Sequence, residues 1–110
     1  MNIHGMNVRG SVKDKQTRCK HYDKLVDIIA IKFKCCKTYY PCYKCHEEEA
    51  DHPAEIWGRE EFGQKAILCG ECGSELTINE YLTCHSSCPY CHRSFNPGCK
   101  NHAHLYFGVH

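Results

Sequence analysis

The chain has 110 residues, one ordinary domain's worth, which leaves no room for two independent large cores. Leu, Ile, Val and Phe number only 20, thin for a core, yet 14 basic against 13 acidic side chains give a net charge of +1, which excludes disorder by self-repulsion. Eleven cysteines and nine histidines supply 20 potential soft-metal ligands, and a disulfide framework alone would not call for the imidazoles.

In chain order, the first 18 residues carry Ile3, Met6 and Val8 in weak alternation with two glycines and predict a short strand and a turn. The run LVDIIAIKFKCC sets Ile29, Ile31 and Phe33 on one side and Ala30, Lys32 and Lys34 on the other, a β-strand pattern. Pro41 suits the first position of a short helix that brings Cys42, Cys45 and His46 onto one turn. Residues 53–65, with Pro53, Gly58 and Gly63, read as a connector, so units of 1–63 and 64–110 are expected. KAILC predicts a strand, and Thr77 with Glu80 forms a T-x-x-E capping box opening a helix around INEYL. The alternation in NHAHLYF predicts a last strand. Between Arg9 and Lys24 there are six basic residues and two acidic ones, whereas between Glu47 and Glu61 there are seven acidic and one basic; solvated faces beside metal sites are the plainer reading of that bipolarity, and a partner-docking surface is the alternative.

The most specific signal is Cys69-x2-Cys72, fifteen residues, then Cys88-x2-Cys91, the spacing of two zinc knuckles. Two residues between thiolates let a tight turn aim both sulfurs at one ion, with Gly70 and Gly73 expected to give the first turn its freedom. A redox-active C-x-x-C would need a βαβ setting that this chain lacks. The first half holds Cys19-x-His21, Cys35-Cys36, Cys42-x2-Cys45-His46 and His52, eight donors for two tetrahedral ions. Neighbours such as Cys45 and His46 leave a helix about 100° apart and so serve different ions. The expected partition is Cys19, His21, Cys42 and Cys45 for one, and Cys35, Cys36, His46 and His52 for the other. Three Zn2+ ions then use nine thiols and three imidazoles, and leave Cys84 and Cys99 over. Cys99, His102 and His104, with Cys84 and His85 nearby, are candidates for a weaker fourth site, against the plainer reading of solvated histidines and a packed thiol.

Closed sites leave no open coordination position for a water, and His46-Glu47 is not followed by a histidine at the spacing of a metalloprotease helix, so no enzyme is expected. Tyr39, Tyr40, Tyr43 and Trp57 could stack on bases, but no continuous basic groove accompanies them. They are expected instead to shield the metal sites, and no nucleic-acid partner is expected. The odd cysteine count, the lack of an apolar run of about 18 residues and the absence of a signal peptide predict a soluble monomer in a reducing compartment, the cytoplasm, with no membrane association.

The strings CKHY at 19–22, CC at 35–36 and CYKCH with His52 resemble the CHY-type zinc finger, and the likeness covers Cys19 to Cys91. DIIAIKFKCC, YYPCYKCH, ILCGECGSELT and FNPGCKNHAHLYF are similar to stand-alone members of that family, since no RING domain follows. The resemblance implies three zinc ions, a role in zinc handling or thiol-dependent protein assembly, and, for a eukaryotic chain, the mitochondrial intermembrane space as the alternative to the cytoplasm. The rival expectation is a protein-interaction module whose zincs are purely structural. The fold expected from all of this is a small zinc-stabilised α+β unit, with short strands, short helices and irregular loops around three zinc sites.

Overall fold

A computed structural model describes residues 2–96 and 106–107. Asn2–Ile3 (β1) and Met6–Asn7 (β2) make a tight antiparallel hairpin through His4 and Gly5, both at positive φ. The β-branched alternation becomes β3, Ile29–Phe33, and a turn over 34–37 returns the chain as β4, Thr38–Tyr40. Helix α1, Tyr43–Glu49, follows, then a 3₁₀ turn at Arg59–Glu61, strands β5 (Lys65–Cys69) and β6 (Glu75–Thr77), and helix α2 (Ile78–Thr83).

Four of these strands form one antiparallel sheet in the order β4-β3-β5-β6. β3 meets β4 through a local hairpin but meets β5 across the connector, with Ile29 opposite Cys69 and Ile31 opposite Ile67. Strands from either side of Gly63 therefore share a sheet. Ile29, Ile31 and Phe33 point into the larger core with Ile67, Leu76, Ile78 and Tyr81, while Ala30, on the other face, packs with Ile3, Val8, Tyr39 and Leu68. Each such aliphatic or aromatic side chain contributes about 1.5–3 kcal/mol by leaving water. The β1–β2 hairpin gives the sheet a second buried face.

Two local expectations are corrected. Pro41 is not the first helical residue: Cys42 is the N-cap, extended at φ −160° and ψ 170°, and its Sγ accepts the Cys45 N–H at 3.4 Å, which stands in for the usual hydroxyl cap. Tyr39 shields no metal site, because strand alternation turns it to the opposite face from Tyr40, into the smaller cluster. Trp57 acts as an anchor: its Nε1–H donates to the Lys32 carbonyl at 2.8 Å and its backbone N–H to the Tyr106 carbonyl at 2.9 Å. Of the expected last strand only Tyr106 and Phe107 are described, and Phe107 makes a parallel bridge with Trp57; Cys99, His102 and His104 lie outside the described residues.

Candidate metal centres

The structure draws the twelve predicted donors into three groups of four, each with its donor atoms within 4.8 Å of one another: Cys19, His21, Cys42 and Cys45; Cys35, Cys36, His46 and His52; and Cys69, Cys72, Cys88 and Cys91. The groups coincide with the expected four-and-four partition, and neighbouring Cys45 and His46 of α1 face different groups, as the angle between adjacent helical residues requires.

In the first group, the loop carrying Cys19 and His21 is closed by the Cys19 N–H donating to the Tyr22 carbonyl at 3.0 Å, and the cap and first turn of α1 supply Cys42 and Cys45. Cys19 Sγ lies 3.7 Å from Cys42 Sγ, and His21 Nδ1 lies 3.4, 3.4 and 3.8 Å from the sulfurs of Cys42, Cys45 and Cys19. A tetrahedron with zinc–sulfur bonds of about 2.3 Å and zinc–nitrogen bonds of about 2.0–2.1 Å has S···S edges of about 3.8 Å and S···N edges of about 3.5 Å. These separations fit it and are far too long for a disulfide, whose sulfurs lie about 2.05 Å apart. The other nitrogen of His21, Nε2, meets the Glu48 carboxylate at 3.1 Å, and Glu48 also takes the Lys20 ammonium at 3.1 Å. Gly10 lies against the group at φ 108°, where an added Cβ would come within 2.7 Å of Cys45 Cβ. Crowding splits the thiols: hydrogen bonds from Cys42 and then Cys45 hold the Cys19 thiol far below its usual range, while their bonds with Cys19 push Cys42 up and raise Cys45 to about 11.

The second group combines the β3–β4 turn, the middle of α1 and the coil beyond it. Cys35 and Cys36 sulfurs are 3.9 Å apart, and His46 Nε2 sits 3.2 and 4.0 Å from them. His46 is buried and stacks on Phe33 with ring centroids 4.2 Å apart, while Tyr40 meets it edge-on at 5.0 Å. His52 Nδ1 bonds the Asp51 carboxylate at 3.0 Å, and its Nε2 is buried without a hydrogen-bond partner. A buried nitrogen left bare costs desolvation energy unless something else binds it, and the neighbouring donor set supplies the reason. Asp51 and then Cys36 raise the His52 pKa, whereas burial, followed by the His52 charge, lowers that of His46.

The third group joins the end of β5 to the 88–91 turn, with Cys69 and Cys91 sulfurs, and those of Cys72 and Cys88, each 3.8 Å apart. Gly73 has φ 78°, as the first knuckle requires, but Gly70 serves differently from expectation: an added Cβ there would come within 2.4 Å of the Gln16 carbonyl, so its role is close backbone approach. In the second knuckle the residue matching Gly73 is His92, which takes φ 63° with a side chain. The Tyr90 N–H donates to Cys88 Sγ at 3.4 Å, which fixes the direction of that sulfur. Burial pushes the Cys69 thiol up; Cys72, exposed, is raised by what burial it has but held down to about 7 by hydrogen bonds from Ser74.

Among the described residues Cys84 joins none of these groups; its thiol donates to the Tyr81 carbonyl at 3.0 Å at the end of α2. Glu48 and Asp51 were not foreseen from sequence. The Asp51-His52 adjacency was a usable signal, whereas Glu48 reaches His21 only through the fold.

A family model described as CHY zinc finger matches residues 19–95. Helper of Tim protein 13 of Saccharomyces cerevisiae is 45% identical over 103 residues, which cover 91% of this chain and 89% of that protein. A protein of the same name in Kluyveromyces lactis is 39% identical over 100 residues, 91% of this chain and 87% of the relative. An uncharacterised Schizosaccharomyces pombe protein is 42% identical over 102 residues, 92% and 88% of the two chains. Among the described residues no helix is long and apolar enough to cross a membrane.

Proposed function

The chain belongs to the CHY zinc finger family, and from that premise we propose that it is a stand-alone zinc handler, which binds three Zn2+ ions and passes zinc to or from a protein partner during thiol-dependent assembly. The proposed ligands are Cys19, His21, Cys42 and Cys45 for the first ion, Cys35, Cys36, His46 and His52 for the second, and Cys69, Cys72, Cys88 and Cys91 for the third. The observation that carries this reading is the set of sulfur separations between 3.7 and 3.9 Å, the edge length of a zinc tetrahedron, in all three groups. When bound, zinc supplies cross-linking and charge neutralisation to a chain poor in hydrocarbon. Four protein donors per ion leave no position for an activated water, which supports a non-enzyme.

The name Helper of Tim borne by two relatives supports a protein partner, and with the family resemblance it favours the mitochondrial intermembrane space. The cytoplasmic expectation rested on the odd cysteine count and the absence of a signal peptide, and it lacks support because a thiolate held by zinc is protected without a reducing compartment. We read the protein as a monomer whose two units, 1–63 and 64–110, divide its metal sites two to one while sharing a sheet.

The rival, an interaction module with structural zincs alone, gains from the burial of Cys19, Cys42, Cys45, Cys69 and Cys88. Native mass spectrometry of the purified full chain during titration with a chelator of moderate strength separates the two. A handler loses one ion from a three-zinc species and stays folded; a structural module loses metal and fold together.

A further inference from the structure

The three donor sets differ in how deeply the fold holds them. In the first, Cys19, Cys42 and Cys45 are buried, Gly10 closes over Cys45, and the one imidazole is clasped by a carboxylate that also carries Lys20. The third offers four thiolates, each a full negative charge, of which Cys69 at the end of β5 and Cys88 in the 88–91 turn are buried and Cys72 is exposed. The second has only two thiolates, and Cys35, Cys36 and His52 are all half-buried. Its fourth member, His46, is fixed by Phe33 and Tyr40 from within the core.

Among the three imidazole donors His52 stands apart, with its side chain 33% exposed against 13% for His21. It follows the end of α1, capped at Ala50, and begins a run in which Pro53, Ala54, Glu55 and Ile56 are exposed. The carboxylate that orients it belongs to the adjacent residue, Asp51, itself fully exposed. Swinging His52 outward gives up its edge-on contact with the ring of His46, 5.1 Å away, whereas withdrawing any buried thiol of the other two sets opens the hydrophobic cluster to which those cysteines belong. Segments with few buried apolar contacts open at the low end of the free-energy range.

We infer that the ion which leaves is the one held by Cys35, Cys36, His46 and His52, and that His52 is the ligand that releases it; this rests on the zinc-handling reading above. In the exchange the bond from His52 Nε2 breaks as a bond to an acceptor thiolate sulfur forms. His52 departs neutral, the thiolate brings its own negative charge, and no electron changes owner. His46 keeps its place on α1, and Cys35 and Cys36 keep theirs in the β3–β4 turn, ready to take an ion back.

The test uses the full chain loaded with three zincs, the moderate chelator as acceptor, native mass spectrometry to count ions, and the imidazole C–H signals in NMR to report which set has emptied. The first ion lost should shift the His46 and His52 signals and leave His21 unmoved. Asp51→Asn should ease release of that ion by about 10–100-fold without changing the other two, and His52→Cys should slow it while retaining three ions. First loss that moves His21, or moves no histidine, overturns the assignment but leaves the zinc-handling reading standing, as does an unchanged release rate in both variants. If no ion leaves before the fold melts, both fall.

Discussion

At the residue scale the chemistry turns on what stands behind each ligand. His21 and His52 present one ring nitrogen to sulfur or to the donor cavity and the other to a carboxylate, Glu48 and Asp51 respectively. Such a partner fixes the tautomer and raises the basicity of the ligand nitrogen. Glu48→Ala should therefore weaken zinc at the first set by about 10–100-fold, read by competition with a metal indicator, with the four-cysteine set unaffected. A second prediction follows from the thiols. The folded sites push the Cys42, Cys45 and Cys69 thiols up, and a free thiol, with an ordinary pKa of about 8.5, keeps its proton at neutral pH even without the fold, so the metal-free chain holds these protons. Zinc binds the deprotonated sulfur; loading must expel them, and affinity must rise with pH and fall in acid. Stoichiometric addition of zinc to the metal-free protein in weak buffer should acidify it, and a flat pH trace would contradict these assignments. The cysteine spacings were legible in the sequence because ligands two residues apart have few other uses; Glu48 was not, since it stands 27 residues from His21.

At the scale of elements, local rules worked where the interaction is local. The T-x-x-E signature at Thr77 is realised in full: Thr77 Oγ1 accepts the Glu80 N–H at 3.0 Å, and the Thr77 N–H donates to Glu80 Oε1 at 2.9 Å. Backbone and Tyr90 hydrogen bonds hold the Glu80 carboxyl below its usual range, so the box is intact at neutral pH and loosens only as acid protonates it. Thr77→Ala should lower the unfolding free energy of the zinc-loaded protein by about 1 kcal/mol, measurable by urea denaturation. The alternation of β3 and the KAILC strand were readable for the same reason. Their pairing was not, because periodicity identifies a strand without naming its partner. Pro41 misled about the helix start because a thiol took the capping place usually given to oxygen.

For the whole molecule, metal and hydrocarbon are one core. Cys19, Cys42, Cys45, Cys69 and Cys88 belong to the same buried cluster as Ile31, Phe33 and Ile67, so the interior holds sulfur donors gathered at zinc-edge distances. Structural zinc contributes about 10–16 kcal/mol per site in finger peptides near pH 7, comparable to the entire stability of an ordinary domain of about 5–15 kcal/mol. Stripping all three ions with a strong chelator should abolish the cooperative thermal transition followed by circular dichroism, and restoring zinc should return it. A cooperative melt that survives complete removal would mean that the hydrocarbon suffices. Composition already points to this dependence; the burial of the ligands among the aromatics needed the fold.

The sheet order also sets a timetable for biosynthesis. Every donor proposed for the first two ions precedes residue 53, but the strand that seals the free edge of β3 begins only at Lys65. As the polypeptide leaves the ribosome it can therefore capture two ions while one flank of its central ribbon is still naked. In that interval a chaperone has something to grip and a second nascent copy has something to stick to, and the interval ends when β5 arrives.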